Sequence, residues 1–356
     1  MASTIASSLE LDASTRHLIV GSVGAGKTTQ LLMIAHRLRE IPDIIPMYVD
    51  ASEHQDLGKV EAGSLLALVG LELMSSVDFS SIPTIAPAAE HFRKWARGYE
   101  RHIAEFESPP DDGYVRIPGV LSPPQPEWTD IPSYTVDRFA SLVKALGGTR
   151  RIVFLVDSLD RVSHFASFST LVEQDMAVLM ALKVGLVMVG PLRSLGGFGR
   201  MYADRFERVH VQSPVDVVRD EKGRSFLVQV VRRRIASDVL PDDALNTLVT
   251  VSGGVLRDLI SLSRFAVEEA YAGGANTIDA AHVERAADAF GRSMVVGLSS
   301  RELNALKGVK ATDSFVPSVE SDFALIATRR ILQYSGPRPR FSVHPCISPL
   351  LDKIAA

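Results

Sequence analysis

The sequence predicts an α/β fold in which a parallel sheet is followed by a helical domain and a small C-terminal module. Short apolar runs alternate with segments of helical spacing, first over residues 16–77 and again over residues 136–211. Strands that alternate with helices form parallel sheets that are covered on both faces. After Pro214 the pattern changes to helix after helix. The expected domains are a sheet core over residues 1–212, a helical lid over 213–294 and a winged-helix-like module over 295–356.

Composition is that of an ordinary globular protein. Of the 356 residues, 46% are hydrophobic and 22% are charged, and the net charge is −4. These values exclude disordered, collagen-like and coiled-coil chains, and they argue against a protein coated with nucleic acid. The single cysteine, Cys346, cannot form an internal disulfide, so a reducing compartment is expected. Because no signal peptide is recognisable and the best apolar stretch, Val184 to Leu192, is half the ~20 residues of a membrane span, we expect a cytoplasmic protein without a membrane anchor.

The expected elements of the sheet domain follow a polar leader. A strand over Arg16–Val20 and a helix from Thr28 flank a glycine-rich loop. Short apolar runs without alternation are typical of strands that are buried on both faces. Later strands are expected over residues 44–49, 152–156, 185–189 and 209–211, and helices over 64–74, 136–146 and 168–182.

Residues 78–134 interrupt this pattern and are interpreted as an insertion, because nine prolines punctuate the segment. Five large apolar residues inside it recur at spacings of 3, 4, 4 and 3, which predicts one amphipathic helix. They are Phe92, Trp95, Tyr99, Ile103 and Phe106. This helix either packs onto the core or docks a partner.

The second half of the chain is expected to be mostly helical. Helices are predicted over residues 215–237, 242–251, 255–272 and 279–290, with one or two more after Val296. Two strand-like runs, 329–334 and 340–343, flank a Gly-Pro turn and precede a last helix over 347–354.

A phosphate-binding loop is predicted at residues 21–28, because Gly21-Ser-Val-Gly-Ala-Gly-Lys27-Thr28 fits the pattern G-x-x-x-x-G-K-[ST] between a strand and a helix. The glycines let the backbone amides surround a phosphate, and the following helix adds its positive dipole end. Lys27 would hold the β- and γ-phosphates, and Thr28 would bind Mg²⁺. The alternative is a structural glycine turn in which the lysine has no role in binding. The predicted nucleotide-binding residues of the loop are Gly21, Ser22, Gly24, Ala25, Gly26, Lys27, Thr28 and Thr29.

Carboxylates at the end of another predicted strand complete this site. The run Arg150 to Val156 ends in Asp157-Ser-Leu-Asp160-Arg161, and a Mg²⁺ held by Thr28 needs an acid opposite it. Asp157 is the candidate metal ligand, with an ordinary strand-end cap as the alternative. Asp160 would orient or deprotonate the attacking water, or it caps a helix or pairs with Arg161.

These motifs together resemble the AAA+ and STAND branch of P-loop ATPases, in particular bacterial relatives of the origin-recognition ATPases. The resemblance implies ATP as the nucleotide. Tyr202-Ala-Asp-Arg205-Phe206 is similar to the stretch whose arginine reaches a neighbouring subunit's γ-phosphate, with Arg200 as the second choice. Ser252-Gly-Gly-Val-Leu-Arg257 is similar to the lid motif whose arginine touches the nucleotide, and the end, Phe341 to Pro345, looks like a terminal winged helix.

Two departures from the family pattern favour a switch with slow hydrolysis. Ser158 stands where many AAA+ motors have a glutamate after the metal-binding aspartate. The strand over residues 185–189 ends in Gly190-Pro191, so the usual polar sensor is missing unless Arg193 or Ser194 supplies it.

Three functions remain open on the sequence. We favour an ATP-controlled switch that forms a homo-oligomer and engages a partner protein. The alternative is a DNA-associated ATPase whose terminal module binds DNA, since residues 297–356 carry eight Lys or Arg against five Asp or Glu. Its test is the replacement of Arg329, Arg330, Arg338 and Arg340 by alanine. The third is a small-molecule kinase, which needs neither a lid arginine nor a terminal module.

Overall fold

The computed structural model describes residues 1–54, 56–97, 131–162, 164–197, 199–336 and 338–354. The chain divides into two units. The first contains residues 1–20 and 28–210, and the second contains residues 21–27 and 211–356. The boundaries near residues 212 and 294 stay predictions.

Helices and strands up to Val211 alternate as the sequence predicts. They are α1 (Ala2–Leu11), β1 (Arg16–Val20), α2 (Lys27–Arg39), β2 (Ile44–Asp50), α3 (Ala51–His54), α4 (Ser64–Ser76), α5 (Ala86–Ala96), α6 (Ser133–Gly147), β3 (Arg151–Asp157), α7 (Phe165–Thr170), α8 (Met176–Ala181), β4 (Gly185–Val189), α9 (Gly199–Ala203) and β5 (Arg208–Val211). Short 3₁₀ turns lie at residues 79–81, 159–161 and 192–195.

The sheet has the strand order β2-β3-β4-β1-β5. The pairs β2–β3, β3–β4 and β4–β1 are parallel, and β3 and β4 are almost wholly buried. Their register aligns the ends of the strands, because Asp157 lies opposite Asp50 and Val156 pairs with Met188, which in turn pairs with Leu18. The predicted α/β class is therefore confirmed, with the carboxyl ends of β1, β2 and β3 at one edge of the sheet.

The first residues form a helix, so the expectation of a polar leader is wrong. Ala2, Ile5, Ala6 and Leu9 are buried on one face of α1 and pack with α2 and the sheet. Their spacing is helical, but only Ile5 and Leu9 are large, and the serines between them obscured the pattern in the sequence.

A continuous helix predicted over residues 168–182 contains a π-helical segment, Leu171–Asp175, between α7 and α8. Its last residue, Asp175, is fully buried. The Asp175 carboxylate accepts hydrogen bonds from the backbone N–H groups of Gly63 and Leu66, both at 2.9 Å. Burial raises the pKa of Asp175 to about 7, although these hydrogen bonds oppose the shift. The π-helical segment thus places the Asp175 carboxylate on two backbone N–H groups at the start of α4.

Acidification is expected to destabilise the first unit through His17. The His17 side chain is buried on β1, and its Nδ1 lies 3.2 Å from Nε2 of His210 on β5. Burial, together with the charge of His210, lowers the pKa of His17 to about 4 against the opposing attraction of Glu207. Since unfolded His17 binds its proton near pH 6.5, the folded state binds fewer protons between pH 6.5 and 4, and its stability falls as the pH falls through this range.

The measurement compares urea unfolding of wild type and His17→Gln at pH 7.5 and pH 5. Wild type should lose roughly 1 to 2 kcal/mol more than the variant on this change of pH. Other titrating groups, Asp175 included, are present in both proteins and cancel. An equal pH dependence of the two proteins would contradict the assignment.

The second unit combines helices with a hairpin. Its elements are α10 (Glu221–Arg232), α11 (Asp242–Val251), α12 (Leu256–Ala272), α13 (Ala280–Val295), α14 (Ser300–Thr312), α15 (Glu320–Ala327), β6 (Ile331–Tyr334), β7 (Arg340–Val343) and α16 (Ser348–Ile354). The strands β6 and β7 pair antiparallel, so the predicted terminal hairpin is confirmed, while the winged-helix assignment stays a prediction. Helix α10 begins later than expected, because Asp220 accepts a hydrogen bond from the Gly223 N–H and caps it there, and it ends at Arg232 rather than at residue 237.

A buried ion pair joins the hairpin to the start of the helical segment. Arg340 donates from Nε and Nη2 to the two carboxylate oxygens of Asp216, both at 2.8 Å. The Asp216 side chain is fully buried, and the Arg340 guanidinium lies 4.4 Å from the ring centre of Tyr334. The Tyr334 hydroxyl in turn donates to the Gly253 carbonyl at 2.9 Å.

Candidate functional site

The glycine-rich loop leaves the sheet at the carboxyl end of β1 and leads into α2. Gly24 has a φ of +81°, and an added Cβ would lie 2.6 Å from the Cβ of Arg257. An added Cβ on Gly21 would lie 2.2 Å from the Gln212 carbonyl oxygen. Both positions therefore require glycine, because Arg257 and Gln212 of the second unit leave no space for a Cβ. Gly24 also has a backbone conformation that favours glycine.

Two carbonyl groups of the loop are held by side chains far away in the sequence. Gln212 Nε2 donates to the Ala25 carbonyl at 3.1 Å, and Arg329 Nη1 donates to the Val23 carbonyl at 3.2 Å. The Val23 N–H donates to the Ala327 carbonyl at 3.0 Å. Gln212 was not predicted to contact the loop and Arg329 was predicted only to contact DNA, because no local pattern indicates a contact that spans 306 residues.

Unused donors remain inside the loop. Within the described part of the chain, no hydrogen bond joins the backbone N–H groups of Gly24 and Gly26 to a partner, and the buried Ser22 hydroxyl has none either. Lys27 is 7% exposed, and its ammonium donates to the carbonyls of Gly21 and Ser22 at 3.0 and 2.8 Å. Gly24 and Gly26 are half-buried, whereas Ser22 is buried, and buried polar groups are normally paired. This set of donors fits an anion such as a phosphate.

Arg257 lies beside the loop, as the contact of its Cβ with Gly24 shows. It is exposed and belongs to the first turn of α12. The structure thus brings this predicted nucleotide-sensing residue together with the loop inside the second unit. Its contact with a nucleotide stays a prediction.

The predicted metal ligand Asp157 ends β3 and is 3% exposed. Its carboxylate accepts hydrogen bonds from the Tyr48 hydroxyl at 3.2 Å and from the Ser158 N–H at 2.7 Å. Burial, with the charge of Asp157 second, raises the pKa of Tyr48 above its usual range. Tyr48 therefore stays protonated and donates to Asp157.

A second carboxylate at this edge was missed. Asp50 ends β2 directly opposite Asp157 in the sheet register. Burial alone would raise the pKa of Asp50, but hydrogen bonds from Ser52 and Ser158 bring it below its usual value. The signal was in the sequence, because β2 also ends in an aspartate.

The residues at this edge suit a magnesium ion. Thr28, exposed in the first turn of α2, would offer a hydroxyl oxygen and Asp157 a carboxylate oxygen, which are the hard donors that Mg²⁺ prefers, with phosphate and water completing its shell. Among the described residues, no group of three or more His, Cys, Asp or Glu side chains could hold a metal by itself.

The other predicted residues lie along the first unit. Asp160 is half-buried in the 3₁₀ turn after β3, and Arg205 is exposed after α9, next to the buried Phe206. Arg200 is exposed and donates to the Leu195 carbonyl at 3.2 Å. Ser194 follows β4 in a 3₁₀ turn, and its buried hydroxyl has no partner in the described part of the chain. The roles of these residues stay predictions.

Three of the four arginines chosen for DNA are engaged within the chain. Arg340 pairs with Asp216 and Arg329 with Asp258, and Arg330 Nε donates to the Met294 carbonyl at 2.7 Å. Only Arg338 of the four is exposed. Their joint replacement would therefore disturb the fold, and DNA binding by the module stays a prediction.

Cys346 is buried, and its thiol donates to the Val251 carbonyl at 3.3 Å. Burial, with the charge of Asp258 second, raises its pKa to about 12. The thiolate is the reactive form, so Cys346 acts as a packing residue. Among the described residues, no helix combines the length and the apolar character needed to span a membrane.

No protein-family model matches the sequence, and a comparison with curated proteins finds no match either. Solved structures similar to this chain include Cdc6p from Pyrobaculum aerophilum, with 14% identity, coverage of 100% of this chain and 94% of that chain, and a TM-score of 0.46. The ORC1 protein from Aeropyrum pernix, in complex with DNA, has 14% identity, covers 99% and 91%, and has a TM-score of 0.47. The RuvB Holliday junction branch migration motor from Thermotoga maritima has 13% identity, covers 98% and 92%, and has a TM-score of 0.42. The similar structures thus include an ORC protein, the group that the sequence motifs resemble, and the STAND branch stays a prediction.

Proposed function

We propose that this chain binds ATP with Mg²⁺ in the loop at residues 21–28 and hydrolyses it slowly. Its nucleotide state then controls the assembly of a homo-oligomer and the engagement of a partner protein. The observation that carries the proposal is the pair of unbonded amides of Gly24 and Gly26 in a loop that also holds the Lys27 ammonium.

The loop and the residues beside it would neutralise and orient a bound triphosphate. Lys27 would leave the carbonyls of Gly21 and Ser22 and pair with the β- and γ-phosphates, where an ammonium gains more from an anion than from neutral carbonyls. Arg257, beside Gly24, would add a second cation from α12. A bound Mg²⁺, held by Thr28 and Asp157, would neutralise charge on the phosphate oxygens.

Slow turnover follows from the residues after β3. Ser158 cannot act as a general base. Its neutral hydroxyl is too weak a base to take a proton from water, and it is not deprotonated to an alkoxide at neutral pH. It is buried with a φ of +71° and donates its N–H to Asp157. Asp160, two residues further on, would orient the attacking water. A site with one weak base favours a long-lived ATP state, which suits a switch.

The test is molar mass by light scattering without nucleotide, with ADP and with a non-hydrolysable ATP analogue. We expect a defined oligomer only with the ATP analogue, and its loss in Arg205→Ala, because this exposed arginine would contact the nucleotide of a neighbouring copy. Arg208→Ala, which removes another exposed arginine, is the control. A monomer under all three conditions would overturn the assembly part of the proposal, and oligomers that Arg205→Ala leaves unchanged would overturn the role of Arg205.

A further inference from the structure

The contacts of Val23 lead to a residue of the C-terminal module. Both backbone polar groups of Val23 are held by the end of α15 and the segment that joins it to β6. Its N–H donates to the Ala327 carbonyl at 3.0 Å, and its carbonyl accepts from Arg329 Nη1 at 3.2 Å. This residue of the loop is therefore fixed by a part of the chain that the loop motif does not include.

Arg329 is itself held in place from several sides. Its backbone has a φ of +67°, which a residue other than glycine adopts only where its surroundings demand it. The Arg329 side chain is 16% exposed, and its Nε lies 2.9 Å from the Asp258 carboxylate, which is 1% exposed. His344 Nε2 lies 3.4 Å from the same carboxylate. Asp258 follows Arg257 in α12, so one helical turn places Arg257 beside Gly24 and orients Arg329 toward Val23.

The geometry of the peptide bond connects these contacts to the unbonded amides. In a trans peptide the C=O of one residue and the N–H of the next lie in one plane and point in opposite directions. The Val23 carbonyl shares its plane with the Gly24 N–H, and the Ala25 carbonyl shares its plane with the Gly26 N–H. Arg329 and Gln212 hold these two carbonyls, and the N–H groups on the other side of the same planes are those without a partner among the described residues.

We propose that Arg329 is a positioning residue for nucleotide binding, which acts by holding the Val23 carbonyl so that the Gly24 N–H points toward the phosphate. This inference rests on the proposed function, since it assigns the control of the same loop to the C-terminal module. Arg329 does not touch the nucleotide. Its loss should weaken binding and leave the chemical step nearly unchanged.

The test uses variants that remove the contact with little other disturbance. Arg329→Gly deletes the guanidinium and accepts the positive φ without strain. The double variant Arg329→Gly with Asp258→Asn also removes the buried carboxylate that would lose its partner. It therefore avoids the misfolding that an unpaired buried charge could cause. Arg329→Lys keeps a charge near Asp258, but a single ammonium cannot replace the two-sided guanidinium contact. Lys353→Ala, an exposed cation on α16, is the matched control.

ATP dissociation constants and steady-state kinetics are measured for all of these proteins. We expect the double variant to raise the Kd and the KM for ATP about tenfold, the effect of one misdirected phosphate hydrogen bond, with kcat within about twofold of wild type. The Kd of Arg329→Lys should lie between the Kd values of wild type and the double variant, and the Kd of Lys353→Ala should match that of wild type. Unchanged Kd values in both Arg329→Gly proteins, or a loss in kcat alone, would overturn the proposal.

Hydrogen exchange separates this inference from the proposed function. Without nucleotide, the amide of Val23 should exchange faster in the double variant than in wild type, while amides of β3 should not change. If Val23 exchanges faster in the double variant but wild type binds no ATP, Arg329 holds the loop as inferred and the nucleotide function is rejected. Equal exchange at Val23 would reject the positioning role whatever the outcome for ATP.

Discussion

Replacing Lys27 by alanine should abolish the stabilisation that ATP gives to the folded chain. At an ATP concentration of 100 times Kd, wild type should gain about 2.7 kcal/mol of stability, because the ligand binds the folded state only. Lys27 is nearly buried, and its ammonium donates to two carbonyls of the same loop. Without it, the β- and γ-phosphates would lose the cation that offsets their own desolvation.

The measurement is the Tm of Lys27→Ala and wild type, each with and without ATP and Mg²⁺. Lys222→Ala, an exposed lysine in the first turn of α10, should keep the full ATP-dependent shift. If Lys27→Ala keeps the wild-type shift as well, the loop is not where ATP binds.

Arg340→Ala should cause a large loss of stability, about 3–5 kcal/mol, because it leaves a buried carboxylate without its partner. The side chain of Asp216 is fully buried, and Arg340 makes two hydrogen bonds to it at 2.8 Å. Burial by itself would raise the pKa of Asp216, but the hydrogen bonds from Arg340 bring it below its usual value. In the variant, Asp216 must therefore either stay charged without its partner or bind a proton at a pH well above its usual pKa, and both cost stability.

Urea unfolding followed by circular dichroism measures this loss. Arg338→Ala serves as the control, because Arg338 is exposed on the same hairpin and should change the stability by less than about 0.5 kcal/mol. Similar stabilities of the two variants would contradict the account. The result also bears on DNA, since a replacement of Arg340 cannot distinguish a lost DNA contact from a disturbed hairpin.

Much of the fold could be predicted, because its strands are short apolar runs and its helices have clear spacing. The strand Gly185–Val189 and the helix Asp242–Val251 have the predicted bounds. Each miss has a specific physical cause. In α1 the buried face contains only two large residues, and the π-helical segment before α8 depends on Asp175 reaching Gly63 and Leu66, a long-range contact that no local pattern contains.

The candidate site was predictable only where it is contiguous. The loop from Gly21 to Thr28 and the acid at the end of β3 are each visible in a few residues. Gln212 and Arg329 hold the same loop from 187 and 306 residues away, and only the folded chain brings them to it. The excess of Lys and Arg in the C-terminal module favoured a DNA-binding role for Arg329, because the sequence does not reveal which group an arginine contacts in the folded chain.

The central claim is that the loop binds a nucleoside triphosphate, and calorimetric titration of the wild-type chain with ATP and Mg²⁺ tests it most directly. We expect one ATP per chain with a measurable heat, and no heat when Lys27→Ala is titrated under the same conditions. No binding to wild type, or equal binding to both proteins, would contradict the account.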